Sequence, residues 1–144
     1  MNEPVRKQPS VNETADLDAA IAELWGEAGR VEFIEANGIR FEVGVMGDGP
    51  KLALCLHGFP EHFISWRHQA PLLAERGYTV WAPNLRGYGR TDRPTAVRAY
   101  RLKTLMADVA GLWDAGAARG LSPSLLMAHD WGAIIAWAFV LNRV

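Results

Sequence analysis

The chain has few of the features that mark secreted, membrane or nucleic-acid-binding proteins. It contains one cysteine, Cys55, which excludes an internal disulfide bond and whose apolar surroundings predict a small buried side chain. The 15 Lys and Arg against 16 Asp and Glu give a net charge of −1, which argues against a nucleic-acid partner because phosphate binding requires clustered positive charge. The longest apolar stretch, 132–142, falls short of the ~20 residues that cross a bilayer, and residues 1–13 lack the apolar core of a signal peptide. We therefore expect a cytoplasmic protein with no membrane partner.

The middle of the chain is locally basic despite the balanced overall charge. The positive side chains are Arg86, Arg90, Arg93, Arg98, Arg101 and Lys103. No aromatic stacking pattern accompanies them, so they are expected to form a solvated loop and helix face.

Length and composition fit one globular domain preceded by a short extension. The chain has 144 residues, of which 49% are hydrophobic and 22% charged. Residues 1–30 are predicted to be an N-terminal extension, with a polar lead-in over 1–13 and then a short helix. The helix is indicated by apolar residues at helical spacing, namely Leu17, Ile21, Leu24 and Trp25. Residues 31–144 are predicted to form the core domain.

From residue 31 the pattern changes to strands, which then alternate with helices. Asn37-Gly38 between two strand-like runs, 31–36 and 39–46, predicts a two-residue hairpin turn. Further strands are predicted at 51–56, 78–82 and 125–128, and helices at 71–76, 102–116 and 132–144. An antiparallel hairpin followed by βαβαβα predicts an α/β fold in which a parallel sheet is covered by helices on both faces.

An acid stands where the last predicted strand meets the last predicted helix. The strand-turn-helix elbow of hydrolases places a nucleophile at this point, between small residues that allow a tight bend. The serine pattern Gly-x-Ser-x-Gly is absent, and the corresponding residues here are Ala128, Asp130 and Gly132. The attacking atom would then be a carboxylate oxygen, which suits alkyl transfer rather than acyl transfer. The alternative is that Asp130 is a helix N-cap.

A second motif follows the strand predicted at 51–56, and reads His57-Gly58-Phe59-Pro60. Ligands in open α/β sheets bind beyond the carboxyl ends of the strands, so this loop and the elbow are expected on one rim. Elbow hydrolases build an oxyanion hole from two backbone N–H groups, which here would be those of Phe59 and Trp131. Gly58 would allow close backbone approach and Pro60 would fix the loop's shape, with a cis bond considered. His57 is expected to hold the loop's hydrogen bonds, and the Trp131 side chain has core packing as its alternative.

These motifs resemble those of the α/β-hydrolase superfamily and, within it, the epoxide hydrolases. The resemblance is carried by residues 57–60 with 65–69, by 84–92 and by 129–132. It covers about 31–144, and implies a partial α/β-hydrolase core that corresponds to the N-terminal half of that fold. It further implies that Asp130 attacks a small apolar epoxide and forms a covalent alkyl-enzyme ester, which water then hydrolyses.

The same elbow is also similar to that of the haloalkane dehalogenases, which are the alternative interpretation. They share the Asp-Trp pair, with the Trp131 indole helping to hold the halide, but they typically carry Asn where this chain has Phe59. That difference favours an epoxide over a haloalkane substrate. Two other departures, Asn84 where the family usually has Asp and Thr91 in place of a common Ser, are expected to be structural.

The resembling families place the lid tyrosines, the catalytic acid and the catalytic His after the elbow. Only 14 residues follow Asp130, and the four histidines, His57, His62, His68 and His129, all precede it. None of the four is expected to replace the base. We therefore expect either the N-terminal portion of an enzyme or a truncated chain without catalysis. Neither a cofactor nor a metal is expected, since His62 and His68 lack helical metal-pair spacing, and the open last strand allows a homo-oligomer.

Overall fold

The computed structural model describes residues 11–142, which form five strands and four helices. The strands are β1 Gly29–Ala36, β2 Ile39–Met46, β3 Lys51–Leu56, β4 Tyr78–Pro83 and β5 Ser122–Ala128. The helices are α1 Val11–Trp25, α2 Gln69–Ala74, α3 Leu102–Ala118 and α4 Trp131–Asn142. Two single 3-10 turns lie at Phe63–Trp66 and Val97–Tyr100.

The five strands form one sheet in the order β1-β2-β4-β3-β5. β1 and β2 are an antiparallel hairpin, β2 is antiparallel to β4, and β3 is parallel to both β4 and β5. Asn37 and Gly38 both have positive φ, as a tight hairpin turn of this kind requires. The predicted α/β fold, a hairpin leading into a parallel sheet, is confirmed.

Helices cover both faces of the sheet, and β3 is accordingly apolar from Leu52 to Leu56. Leu52, Leu54 and Leu56 face the side occupied by α3 and α4, whereas Ala53 and Cys55 face the side of α1 and the 3-10 turn 63–66. All five side chains are fully buried. A strand buried on both faces is typical of parallel sheets. Burial also raises the pKa of the Cys55 thiol to about 12, as expected of a structural cysteine.

Several predicted bounds were wrong by a few residues. The helix predicted at 71–76 lies at 69–74, and β5 begins at Ser122 because that residue pairs with Lys51. α1 begins at Val11 rather than after residue 13; residues 1–10, the rest of the predicted lead-in, lie outside the described part. Over residues 15–25 of α1, for which burial is described, Ile21 and Trp25 are the buried side chains. The division of the chain at residue 30 stays a prediction.

The prediction of a wholly solvated basic face was wrong for two arginines. Arg86 is buried and donates two hydrogen bonds to the Asp108 carboxylate, at 2.8 and 2.6 Å. Arg90 donates to the fully buried Glu42 and to Asp18 of α1. Arg86 and Arg90 therefore pair with buried carboxylates on other elements. They do not belong to a fully solvated face.

β5 is the outermost strand of the sheet, so one of its edges has no neighbour among the described residues. The helix that follows it also presents large apolar side chains to solvent: Trp137 is 67% exposed, Leu141 69% and Ile134 50%. An open strand edge beside an apolar surface is a site of association. No helix within 11–142 is long and apolar enough to cross a membrane.

We expect the 144-residue chain to self-associate through β5 and α4 or to be poorly soluble. The measurement is light scattering on a sizing column, as a function of protein concentration. A W137Q/L141Q double variant should shift the distribution toward monomer, whereas L72Q, at a comparably exposed leucine on α2, should leave it unchanged. A wild-type chain that runs as a sharp monomer at all concentrations would contradict the expectation.

Candidate active site

The site forms where β3 and β5 end side by side. The two strands are parallel neighbours with Leu56 opposite Ala128, and the His129 amide donates to the Leu56 carbonyl at 3.1 Å. The loops that follow the two strands therefore leave the same rim of the sheet, which is where α/β proteins bind ligands. Phe59 and Asp130 lie on these two loops, 71 residues apart in sequence.

Asp130 occupies a sharp bend between β5 and α4. Its φ is +53°, a left-handed conformation that aspartate adopts more readily than most residues, and α4 begins at the next residue. Its carbonyl accepts the first helical hydrogen bonds from Ala133 and Ile134. Gly132 packs so closely on the end of β3 that a Cβ there would overlap the carbonyls of Leu56 and His57. This bend turns the carboxylate outward, and the Asp130 side chain is exposed.

Two backbone amides donate to the Asp130 carboxylate. The Phe59 N–H bonds Oδ1 at 2.9 Å, and the Trp131 N–H bonds the same carboxylate. These two bonds, that of Phe59 first, hold the pKa of Asp130 below its ordinary value of 3.8, and the nearby His129 adds to the effect. Gly58 makes the approach possible, because a Cβ at that position would overlap Asp130. The side chain is therefore an ionised, solvent-accessible carboxylate with one oxygen held by Phe59.

His57 is fully buried beneath the loop and bridges two backbone segments. Its Nδ1 lies 2.8 Å from the Gly58 carbonyl, to which it donates, and its Nε2 accepts from the Leu85 amide at 3.0 Å. The edge of the Tyr88 ring packs against it at a centroid distance of 4.7 Å. Because burial penalises the charged ring, the pKa of His57 lies below its ordinary value of 6.5. The Phe59–Pro60 peptide bond of the loop is cis.

The other histidines lie around the rim. His129 is 66% exposed and its Nδ1 lies 3.1 Å from a Glu61 carboxylate oxygen. His62 contacts Asn84, with 2.8 Å between the two side-chain nitrogens, and His68 is exposed. No cluster of three metal-ligating side chains occurs between residues 11 and 142. Sequence reasoning missed Glu42, whose signal was a single acid between the apolar residues Phe41 and Val43 of β2.

A cleft of about 330 Å³ opens beside Trp131. Its walls are mostly apolar and aromatic, and include Tyr88, Tyr100, Leu105 and Ile135. The Trp131 side chain is 42% exposed, so core packing alone does not describe it. A larger hollow of about 860 Å³ lies at the opposite rim, between α1 and α2, and is remote from Asp130. The cleft beside Trp131 is therefore the smaller of the two.

The sequence pattern of the α/β-hydrolase fold family matches residues 52–143. This chain belongs to that family. Within it, the chain is 46% identical over 110 residues to epoxide hydrolase 3 of Siraitia grosvenorii, covering 76% of this chain and 34% of that protein. It is 45% identical over 106 residues to epoxide hydrolase A of Mycobacterium tuberculosis, covering 72% of this chain and 32% of that protein.

Solved structures give the same relationship. The crystal structure of epoxide hydrolase VrEH1 from Vigna radiata matches with a TM-score of 0.74 and 44% identity. That match covers 81% of this chain and 37% of the Vigna radiata chain. The chain thus spans about a third of the length of the relatives that it matches.

The buried neutral His57 makes stability depend on pH. Its folded-state pKa is below 6.5, so the unfolded state takes up protons more readily as the solution becomes acidic. The contribution of His57 to the free energy of unfolding is therefore complete above about pH 6.5, and it is lost as the pH falls toward the folded-state pKa. Urea denaturation between about pH 7.5 and 5 should show the free energy of unfolding falling with acidification.

The pH dependence can be assigned to His57 by substitution. His57→Gln removes the titration of His57 and should make the profile shallower, and the slope that remains includes His62, whose pKa is also lowered by burial. His68→Gln, at an exposed histidine, should leave the wild-type slope. If both variants keep the wild-type slope, His57 is not the group responsible.

Proposed function

We propose that Asp130 is the nucleophile of an epoxide hydrolase reaction on a small apolar substrate. The observation that carries the proposal is the 2.9 Å hydrogen bond between the Phe59 amide and Oδ1 of an exposed carboxylate at a strand-turn-helix elbow. The amide arrangement supports an oxyanion hole, and the relatives named above are epoxide hydrolases. The cleft beside Trp131 provides apolar walls for the substrate.

The two carboxylate oxygens of Asp130 then have different roles. Oδ1 is held by the Phe59 amide, so Oδ2 attacks an epoxide carbon, the carbon–oxygen bond of the ring breaks, and the alkoxide takes a proton from water. The product is a hydroxyalkyl ester of Asp130. When water later attacks the ester carbonyl, negative charge develops on Oδ1, where the amides of Phe59 and Trp131 stabilise it.

The second step needs a base that activates water. No histidine follows Asp130 in the sequence, and His129 is paired with Glu61. We therefore expect the 144-residue chain to form the ester and to hydrolyse it slowly. The buried Cys55 and the lack of a disulfide support a cytoplasmic location as part of the same proposal.

The proposal is tested by intact-mass spectrometry after incubation with styrene oxide. The wild-type chain should gain the full mass of one epoxide, because ring opening has no leaving group, and peptide fragmentation should place the adduct on Asp130. Asp130→Asn should abolish this adduct. Asp48→Asn, at an exposed carboxylate in the loop between β2 and β3, should leave it unchanged and controls for nonspecific esterification.

A parallel incubation with a chloroalkane separates the two substrate classes. A dehalogenase would gain the mass of the alkyl group and release chloride. It would show no increase in mass with the epoxide. Equal epoxide labelling of wild type and Asp130→Asn would overturn the assignment of the nucleophile.

A further inference from the structure

The loop that carries the Phe59 amide is held at both ends by two consecutive residues that follow β4. At its start, the Leu85 amide donates to Nε2 of His57 at 3.0 Å. At its end, the Phe63 amide donates to Oδ1 of Asn84 at 2.8 Å. The Phe59 amide, which bonds Asp130, lies between these two attachments. A loop fixed at both ends has few conformations left, so the attachments determine where this amide points.

Asn84 is in turn fixed by Glu42 of β2. The Asn84 Nδ2 group donates to Oε2 of Glu42 at 2.8 Å and lies 2.8 Å from Nε2 of His62. Both Asn84 and Glu42 are fully buried. Every hydrogen-bonding atom of the Asn84 carboxamide is therefore used, and it has one orientation in which both ends are satisfied.

Glu42 acts only as an acceptor in this arrangement. Oε1 accepts from Nε of Arg90 at 2.7 Å, and Oε2 accepts from the Arg90 amide at 2.7 Å in addition to Asn84. Gly89 covers the Glu42–Asn84 hydrogen bond, since a Cβ at Gly89 would overlap Asn84. Arg90 also donates to Asp18, which links the pair to helix α1 outside the matched stretch 52–143.

This geometry explains why residue 84 is asparagine here. An aspartate at this position would put an acceptor-only oxygen 2.8 Å from Oε2 of Glu42. The asparagine amide supplies the donor that Glu42 requires and keeps the acceptor that Phe63 requires. Glu42 and Asn84 are therefore a matched pair.

We propose that Asn84, oriented by Glu42, is a positioning residue that fixes the Phe59 amide against the nucleophile Asp130. The inference depends on the proposed role of that amide, and it predicts that aspartate at position 84 disturbs the position of the amide in this chain. Its effect reaches Asp130 through the loop and not through contact with a substrate.

The test is Asn84→Asp, with the geometry of the loop as the readout. Amide NMR should show the Phe59 proton shifting upfield as its bond to Asp130 weakens. The pKa of Asp130, followed through the same resonance, should rise toward 3.8, because the Phe59 bond is the largest cause of its depression. Hydrogen exchange of the amides in 57–63 should accelerate on the order of tenfold.

Asp108→Asn is the matched control for a general loss of stability. Asp108 is also buried and bonds the segment after β4, through Arg86, together with Asn37 of the hairpin turn. Its replacement should loosen the hairpin turn and the start of α3 while leaving the Phe59 resonance and the pKa of Asp130 at their wild-type values. If Asp108→Asn moves these two readouts as much as Asn84→Asp does, the role of Asn84 is merely structural and the proposal fails.

A second pair of variants tests the matching itself. Glu42→Gln keeps the shape but sets an NH₂ group against either Arg90 or Asn84, so it should move the readouts in the same direction as Asn84→Asp. In the double variant E42Q/N84D the residue at 42 can donate to the residue at 84, which reverses the direction of the wild-type hydrogen bond. The double variant should therefore recover part of the change in the Phe59 resonance and in the pKa of Asp130 that each single variant causes. Additive effects of the two substitutions would overturn the pairing.

These measurements are independent of catalysis. Wild-type geometry in all variants would overturn the positioning role even if Asp130 forms the ester. Conversely, absence of the ester would overturn the proposed function while the coupling between Asn84 and the loop could still be measured.

Discussion

The parallel pairing of β3 with β5 is the constraint on which the candidate site depends. It sets Leu56 opposite Ala128, so that Phe59, three residues past one strand, meets Asp130, two residues past the other. The register shifts by one residue beside the Leu52/Ala53 positions, which pair with Pro123 and Leu125. Without this shift the elbow would move by roughly 3.3 Å along the strand, a distance larger than the hydrogen bond between the amide and the carboxylate. A backbone irregularity far from the elbow therefore determines whether its two parts meet.

The sequence predicts those features that residues adjacent in the chain encode. Asn37-Gly38 specifies its turn through its own φ preferences, and Asp130 between an apolar strand and an apolar helix stands out without any knowledge of the fold. The placement of Arg86 could not be predicted in the same way. Its burial depends on Asp108, 22 residues away on α3, and only the fold shows that the two meet. The contact between Glu42 and Asn84, 42 residues apart, could not be predicted for the same reason.

The buried carboxylates of Glu42 and Asp108 have a common effect. Both bond the segment that follows β4, one at Asn84 and Arg90 and the other at Arg86, so a stretch that looks like a basic surface is held against the sheet by acids. Removing one partner of such a pair costs far more than the intact pair contributes, because it leaves a buried charge unsatisfied. These pairs therefore specify one arrangement of the segment, and the loop that carries Phe59 is bonded to it at Asn84, which Glu42 orients.

The amide that holds Asp130 has opposite effects on the two proposed steps. A hydrogen bond to Oδ1 stabilises the carboxylate and lowers its pKa, which also makes that oxygen a weaker nucleophile. For the attack on the epoxide the bond therefore helps only by keeping Asp130 ionised and leaving Oδ2 free. For hydrolysis of the ester it helps directly, because charge appears on the oxygen at which the amide already points. An amide cradle on the nucleophile's own carboxylate thus makes physical sense for a two-step reaction through an ester, and has little value for a single direct displacement by water.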